Sequence, residues 1–129
     1  MRDVLVERAD AQVGAAIARS LEDPLTLVAE LRSLGGAVSD VPADATAWAG
    51  RSQRALAGIW TAPATIEQVD AAFAPLQELG TGTYGAYSSD TRPAEAERAW
   101  PAETGRRLLE IAQRVDPEHL FDGGLSLRS

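Results

Sequence analysis

Tyr84 and Tyr87 are suited to chemistry by type and spacing. They lie in TGTYGAYSS, Thr81 to Ser89, which reads as a strand. Alternation puts Tyr84, Ala86 and Ser88 on one face and Thr83, Gly85 and Tyr87 on the other. A tyrosine on the open face of a sheet can donate a hydrogen bond, or act as a base if its surroundings lower its pKa. Both rings also fit as ordinary strand aromatics. Glu30 and Arg32 sit two apart on one strand face, spaced to grip a polar substrate or orient a base. The plainer reading is a solvated ion pair of little energetic weight. Trp48, Trp60 and Trp100 could line an aromatic-binding pocket, or simply pack with the indole N–H satisfied. His119 follows Asp116-Pro117 and reads as a cap or carbonyl contact. Gly80-Thr81-Gly82 is too short for a phosphate loop, and Arg106-Arg107 reads as a solvated helix face.

Composition narrows the chemistry further. The 129 residues suit one domain with one core, and 45% of them are hydrophobic. Acidic residues outnumber basic ones 19 to 12, a formal charge of -7, and every basic residue is Arg. Without Lys there is no Schiff base. Without Cys there is no thiol nucleophile, disulfide, thiolate-bound zinc or iron–sulfur cluster. A single His supplies neither a His-rich metal site nor a recognisable triad. Acid–base work therefore falls to Asp, Glu, Tyr or His119. The negative balance argues against nucleic acid and anionic membrane as partners. No stretch is long and apolar enough for a membrane span, and charges interrupt the N-terminal residues where a signal peptide needs an apolar run. These features, with the absence of Cys, lead us to expect a cytoplasmic protein.

Several elements must position these side chains. Val13, Ile17 and Leu21 predict a helix over 10–20, with Asp10 as N-cap and Glu22-Asp23-Pro24 as its stop. Leu25 to Gly36 predicts a strand. Leu25, Leu27, Ala29 and Leu31 should meet the core, opposite Thr26, Val28, Glu30 and Arg32. Ser39 to Gln53 reads as a loop. Arg54 to Pro63 reads as a strand dividing Leu56, Gly58 and Trp60 from Ala55, Ala57 and Ile59. Ile66, Val69, Phe73 and Leu76 predict a helix over 65–79, opened by a Thr65/Gln68 capping box and closed by Gly80 as a C′ glycine. A helical turn is expected within 94–99. A last helix is expected from Pro101 or Thr104 to Val115, burying Leu108, Ile111, Ala112 and Val115, with Leu120 and Phe121 as an anchor before a frayed end. The sum is an α+β domain over 1–129, with a small antiparallel or mixed sheet backed by helices on one face. Whether residues 1–8 add a strand is open. Three strands leave a sheet face to be covered by a ligand, a partner domain or a second copy, and a homodimer is expected.

Three blocks then carry a resemblance. ELRSLGGAVSDVPADATAWAGR, Glu30 to Arg51, resembles the ELR-x-LGGA and PADATA-aromatic-x-x-R stretch of bacterial FAD-linked oxidases of the berberine-bridge-enzyme-like group. GTYGAYSSD, Gly82 to Asp90, is similar to that family's G-x-Y-x-N-aromatic-x-x-D strand. RLLEIAQRVDPEHLF, Arg107 to Phe121, is similar to its closing segment. The blocks keep the family's order and span most of the chain from about residue 25. The resemblance implies the C-terminal part of a substrate domain, an antiparallel sheet roofing a flavin. It implies that Tyr84 faces flavin and substrate and assists deprotonation, that Tyr87 packs behind the sheet, and that Glu30 and Arg32 face the substrate side. Departures are Ala86 for the family's Asn, Ala112 for Lys, Val115 for Tyr and His119 for Asn, with Asp122 and Gly124 where Arg and Asn commonly follow. Nothing here resembles the family's FAD-binding domain, so FAD is expected only if a separate chain supplies it.

Three functional expectations result. In the first, a flavin-free domain binds an apolar, aromatic or polyketide-like molecule. Arg32, Trp60, Tyr87 and Trp48 would make contacts, and Tyr84 and Glu30 would carry any acid–base cyclisation, isomerisation or dehydration. In the second, the chain is the C-terminal piece of a split oxidase completed by an FAD-binding partner chain. In the third, it is a non-catalytic interaction module.

Overall fold

The structure is a computed structural model describing residues 1–121 and 123–127. The elements in order are strand β1 (Arg2–Val6), helix α1 (Ala11–Glu22), strands β2 (Thr26–Ser33) and β3 (Ala55–Thr61), and helices α2 (Ile66–Gln77), α3 (Pro93–Ala99) and α4 (Ala102–Val115). A short 3-10 turn spans Gly36–Val38. The strands form an antiparallel sheet of order β1-β3-β2, so the fold is a small α+β one. Among the described residues no helix is long and apolar enough to cross a membrane. Part of the expected frayed end, Arg128 and Ser129, lies outside the described residues.

Cross-strand partners share a face, so the register defines two surfaces. Val4 pairs with Ala57, which pairs with Leu31, and Ile59 joins Arg2 to Ala29. This face carries the core. Val4, Val6, Ala55, Ala57 and Ile59 meet Val13 and Ala16 of α1 and Ala72, Phe73 and Leu76 of α2. The helices start where their caps require. Asp10 accepts from the Gln12 and Val13 N–H groups, and Thr65 and Gln68 close a reciprocal capping box.

β1 settles the question about residues 1–8: RDVLV is a strand, buried throughout. Leu27 and Leu31 do not meet the core as expected. They remain 64% and 47% exposed, and only Ala29 packs against it. β2 is an outer strand: α1 packs against it at Ala29, while α2 lies over β1 and β3, and Leu27 and Leu31 stay open to solvent. Gly80 does not act as a left-handed C′ residue, since the helix ends through Glu78 in right-handed geometry. Its role is close approach: a Cβ there would stand 2.1 Å from the Leu5 carbonyl oxygen.

The final helix forms where expected but does not bury its apolar side. α4 is buried at Gly105, against the Trp100 carbonyl and Leu127, while Val115 is 67% exposed. Leu120 and Phe121 are exposed too, so they anchor nothing. Asp116 accepts from their N–H groups and holds the turn that follows the helix.

Candidate functional site

The sheet face opposite the core places Asp3, Gly58 and Glu30 in one cross-strand row and Leu5, Leu56 and Arg32 in the next, with Trp60 beside Val28. The chain's own residues after α2 fold back across this face. Leu5 N–H donates to the Gly82 carbonyl at 3.0 Å, and Ser89 N–H to the Met1 carbonyl at 2.9 Å.

The segment expected as a strand over 81–89 makes one bridge, Leu5 with Gly82, and then turns. Asp3 explains the change. Its Oδ1 accepts from the Tyr84 N–H at 2.7 Å, a backbone donor a ladder would have used, and its Oδ2 accepts from the Thr83 hydroxyl at 3.0 Å. The Tyr84 carbonyl accepts from the Tyr87 N–H at 2.7 Å, closing a turn through Gly85 and Ala86. Tyr84 and Tyr87 are therefore not on opposite faces of a strand. Their ring centroids lie 5.1 Å apart.

Two further segments join them. Trp48 stands in the loop before β3 and meets Tyr84 edge-on, with centroids 5.2 Å apart and planes at 86°. Arg51 holds that loop, donating to the Trp48 and Val38 carbonyls and to the Thr46 hydroxyl. Trp60 lies 6.2 Å from Tyr87. The Arg32 guanidinium sits 5.1 Å above the Tyr87 ring, and its Nε donates to Glu30 at 2.6 Å. Glu30, Arg32, Trp48, Trp60, Tyr84 and Tyr87 thus form one connected surface. Trp100 makes none of these ring contacts; it lines a groove with α4 residues Leu108, Leu109, Ala112 and Val115 and approaches Gly85 in the tyrosine turn.

The electrostatics give these residues different parts. Burial pushes the Asp3 pKa up to about 6, although the Tyr84 N–H and Thr83 hydroxyl bonds favour its ionised form. The hydrogen bond that Arg32 donates to Glu30 holds its pKa above the ordinary value, so this guanidinium is an already paired cation. Glu30 is correspondingly engaged, and Tyr84 is 38% exposed. The surface suits stacking, cation–π contact and hydrogen bonding to a flat ligand.

Sequence reasoning missed the supports. Asp3 and Thr83 fix the tyrosine turn, and nothing in a lone Asp or Thr announces that. It also missed a second cluster on the core side. Arg2, buried beneath the Phe73 ring, donates to Asp70 at 2.8 Å and Asp90 at 2.6 Å, and Arg92 bonds the same two carboxylates. Arg2, on the same strand face as Val4 and Val6, was its one visible trace. Among the described residues no group of three or more His, Asp or Glu side chains is placed to hold a metal ion. No family model matches the chain, and no curated protein matches it.

Proposed function

We propose that this chain binds a planar, largely apolar small molecule, aromatic or polyketide-like, on the surface formed by Trp48, Tyr84, Tyr87 and Trp60. The observation that carries this reading is the convergence of four rings from three separate segments beside a cation, with Tyr84 partly open to solvent. Rings in such contact present a broad apolar surface at little conformational cost. Glu30 acts as the counter-charge that holds Arg32 over Tyr87. Tyr84 is the hydroxyl we assign to any proton transfer on the ligand. We place the protein in the cytoplasm, a reading supported by the absence of cysteine.

The resemblance to FAD-linked oxidases supports a second reading, in which this surface is one wall of a flavin site completed by a separate FAD-binding chain. Its openness favours that reading, because Arg32 and Tyr84 are both exposed. The residues on this face do not fit FAD by themselves. Their cation, Arg32, is bonded to Glu30 and is not free for a pyrophosphate, so no step is derived through a flavin.

Titration with 2-naphthol, followed by heteronuclear NMR, tests the binding reading. Trp48→Ala removes one ring at the rim and should weaken binding by about 1 kcal/mol, roughly fivefold, without unfolding the protein. Unchanged affinity in that variant would remove the aromatic surface as the site.

A further inference from the structure

We propose that β2 is a dimer interface, pairing antiparallel with β2 of a second copy about a two-fold axis at Leu31 to give a continuous six-stranded sheet. This goes beyond ligand binding and does not depend on it.

The two sheet edges are treated differently by the chain. The outer side of β1 is engaged by its own polypeptide: Leu5 N–H donates to the Gly82 carbonyl, and Thr81 N–H donates to the Leu5 carbonyl. β2 is eight residues long and forms the other edge, with Leu27, Val28 and Leu31 about half exposed or more. A long apolar edge strand is a template for another strand. Its polarity follows from one bond. Leu34 N–H donates to the Arg54 carbonyl at 2.8 Å, and the β2–β3 register is regular from Val28 onward. Even-numbered residues therefore turn their main-chain groups to β3, and Ala29, Leu31 and Ser33 turn theirs outward.

The side chains select both the occupant and the register. In antiparallel self-pairing centred on Leu31, Leu31 faces the partner's Leu31 and Ala29 faces the partner's Ser33. Glu30 faces the partner's Arg32, and Arg32 faces the partner's Glu30. Opposite charges directly across a strand pair stabilise it. Shifting the register by two residues one way sets Glu30 against the partner's Glu30. Shifting it the other way sets Arg32 against the partner's Arg32. One register is thus complementary, its neighbours are repulsive, and the complement is the strand itself. The two-fold axis runs perpendicular to the sheet, so both aromatic surfaces lie on the same side and the partner's Arg32 reaches Glu30 at the edge of the site.

Sedimentation equilibrium of the whole chain at micromolar concentration tests this, with far-ultraviolet circular dichroism checking that each variant folds. The wild-type chain should sediment at twice its 13.7 kDa mass. Glu30→Arg and Arg32→Glu should each weaken the dimer roughly tenfold, and the two combined should restore it. Because the chain has no Cys, Leu31→Cys provides a second, independent readout. Facing Cα atoms in such a pair stand about 5.5 Å apart, within disulfide range. Oxidised L31C should therefore form a covalent dimer, whereas L27C, away from the axis, should not. A monomeric wild-type chain, single charge variants that dimerise like wild type, or equal cross-linking of L31C and L27C would overturn the proposal.

Discussion

Asp3 joins the physics of the fold to that of the candidate site. It is fully buried, and its two oxygens position the turn that carries Tyr84 and Tyr87. Its pKa in the folded chain is about 6 against an ordinary 3.8. A raised acid favours the folded state while protonated, so this contribution is complete below about pH 4 and is lost as pH rises through 6. Asp3→Asn keeps an acceptor for the Tyr84 N–H and removes the buried charge. Urea unfolding should show the variant more stable than wild type at pH 7 by about 1–3 kcal/mol, with the difference vanishing near pH 4. A variant less stable at pH 7 would mean that the ionised carboxylate is worth more to the turn than its burial costs. Asp70 and Asp90 act in the opposite sense. Hydrogen bonding from Arg92 lowers the Asp70 pKa, and for Asp90 the pull of Arg92 and Arg2 outweighs the cost of burial. Their contribution is present above the ordinary value of 3.8 and is lost as acid is added below it.

Among the elements, α2 separates two kinds of local requirement. Thr65→Ala removes one side of the capping box and should cost about 1 kcal/mol. Gly80→Ala drives a Cβ into the Leu5 carbonyl and should cost about 2 kcal/mol or more, because the obstacle is backbone. Thermal or urea unfolding of the pair orders the two effects, and the reverse order would return Gly80 to a capping role. The contrast also marks what could be read from sequence. The Thr65/Gln68 box, the Asp10 cap and the alternation within β3 act through neighbours one to four residues away, and all three are where the sequence placed them. The 81–89 segment fails as a strand because its competitor, Asp3, lies about eighty residues away in sequence. The apolar side of β2 was recognisable, but position in the sheet decides burial, and an edge strand shows no such position in its own residues. For the candidate site, Glu30 and Arg32 were placed together by period-two spacing. The contact between Tyr84 and Tyr87 follows from a turn that spacing did not indicate.

The whole molecule divides into a well-packed half and a half that leaves apolar surface open. The sheet, α1 and α2 share one core, whereas α4 and the tail leave Val115, Leu120 and Phe121 exposed. Two apolar surfaces are therefore open: the aromatic face of the sheet and the groove between Trp100 and α4. Trp48 and Trp60 belong to the first, and Trp100 lines the second while also approaching Gly85 in the tyrosine turn. The most direct test of the account follows the indole N–H resonances of the wild-type chain during titration with 2-naphthol. Binding at the aromatic face predicts that the Trp48 and Trp60 signals move together and saturate at one concentration while Trp100 moves less. Movement of Trp100 alone, or no saturable movement of Trp48 and Trp60, would contradict it.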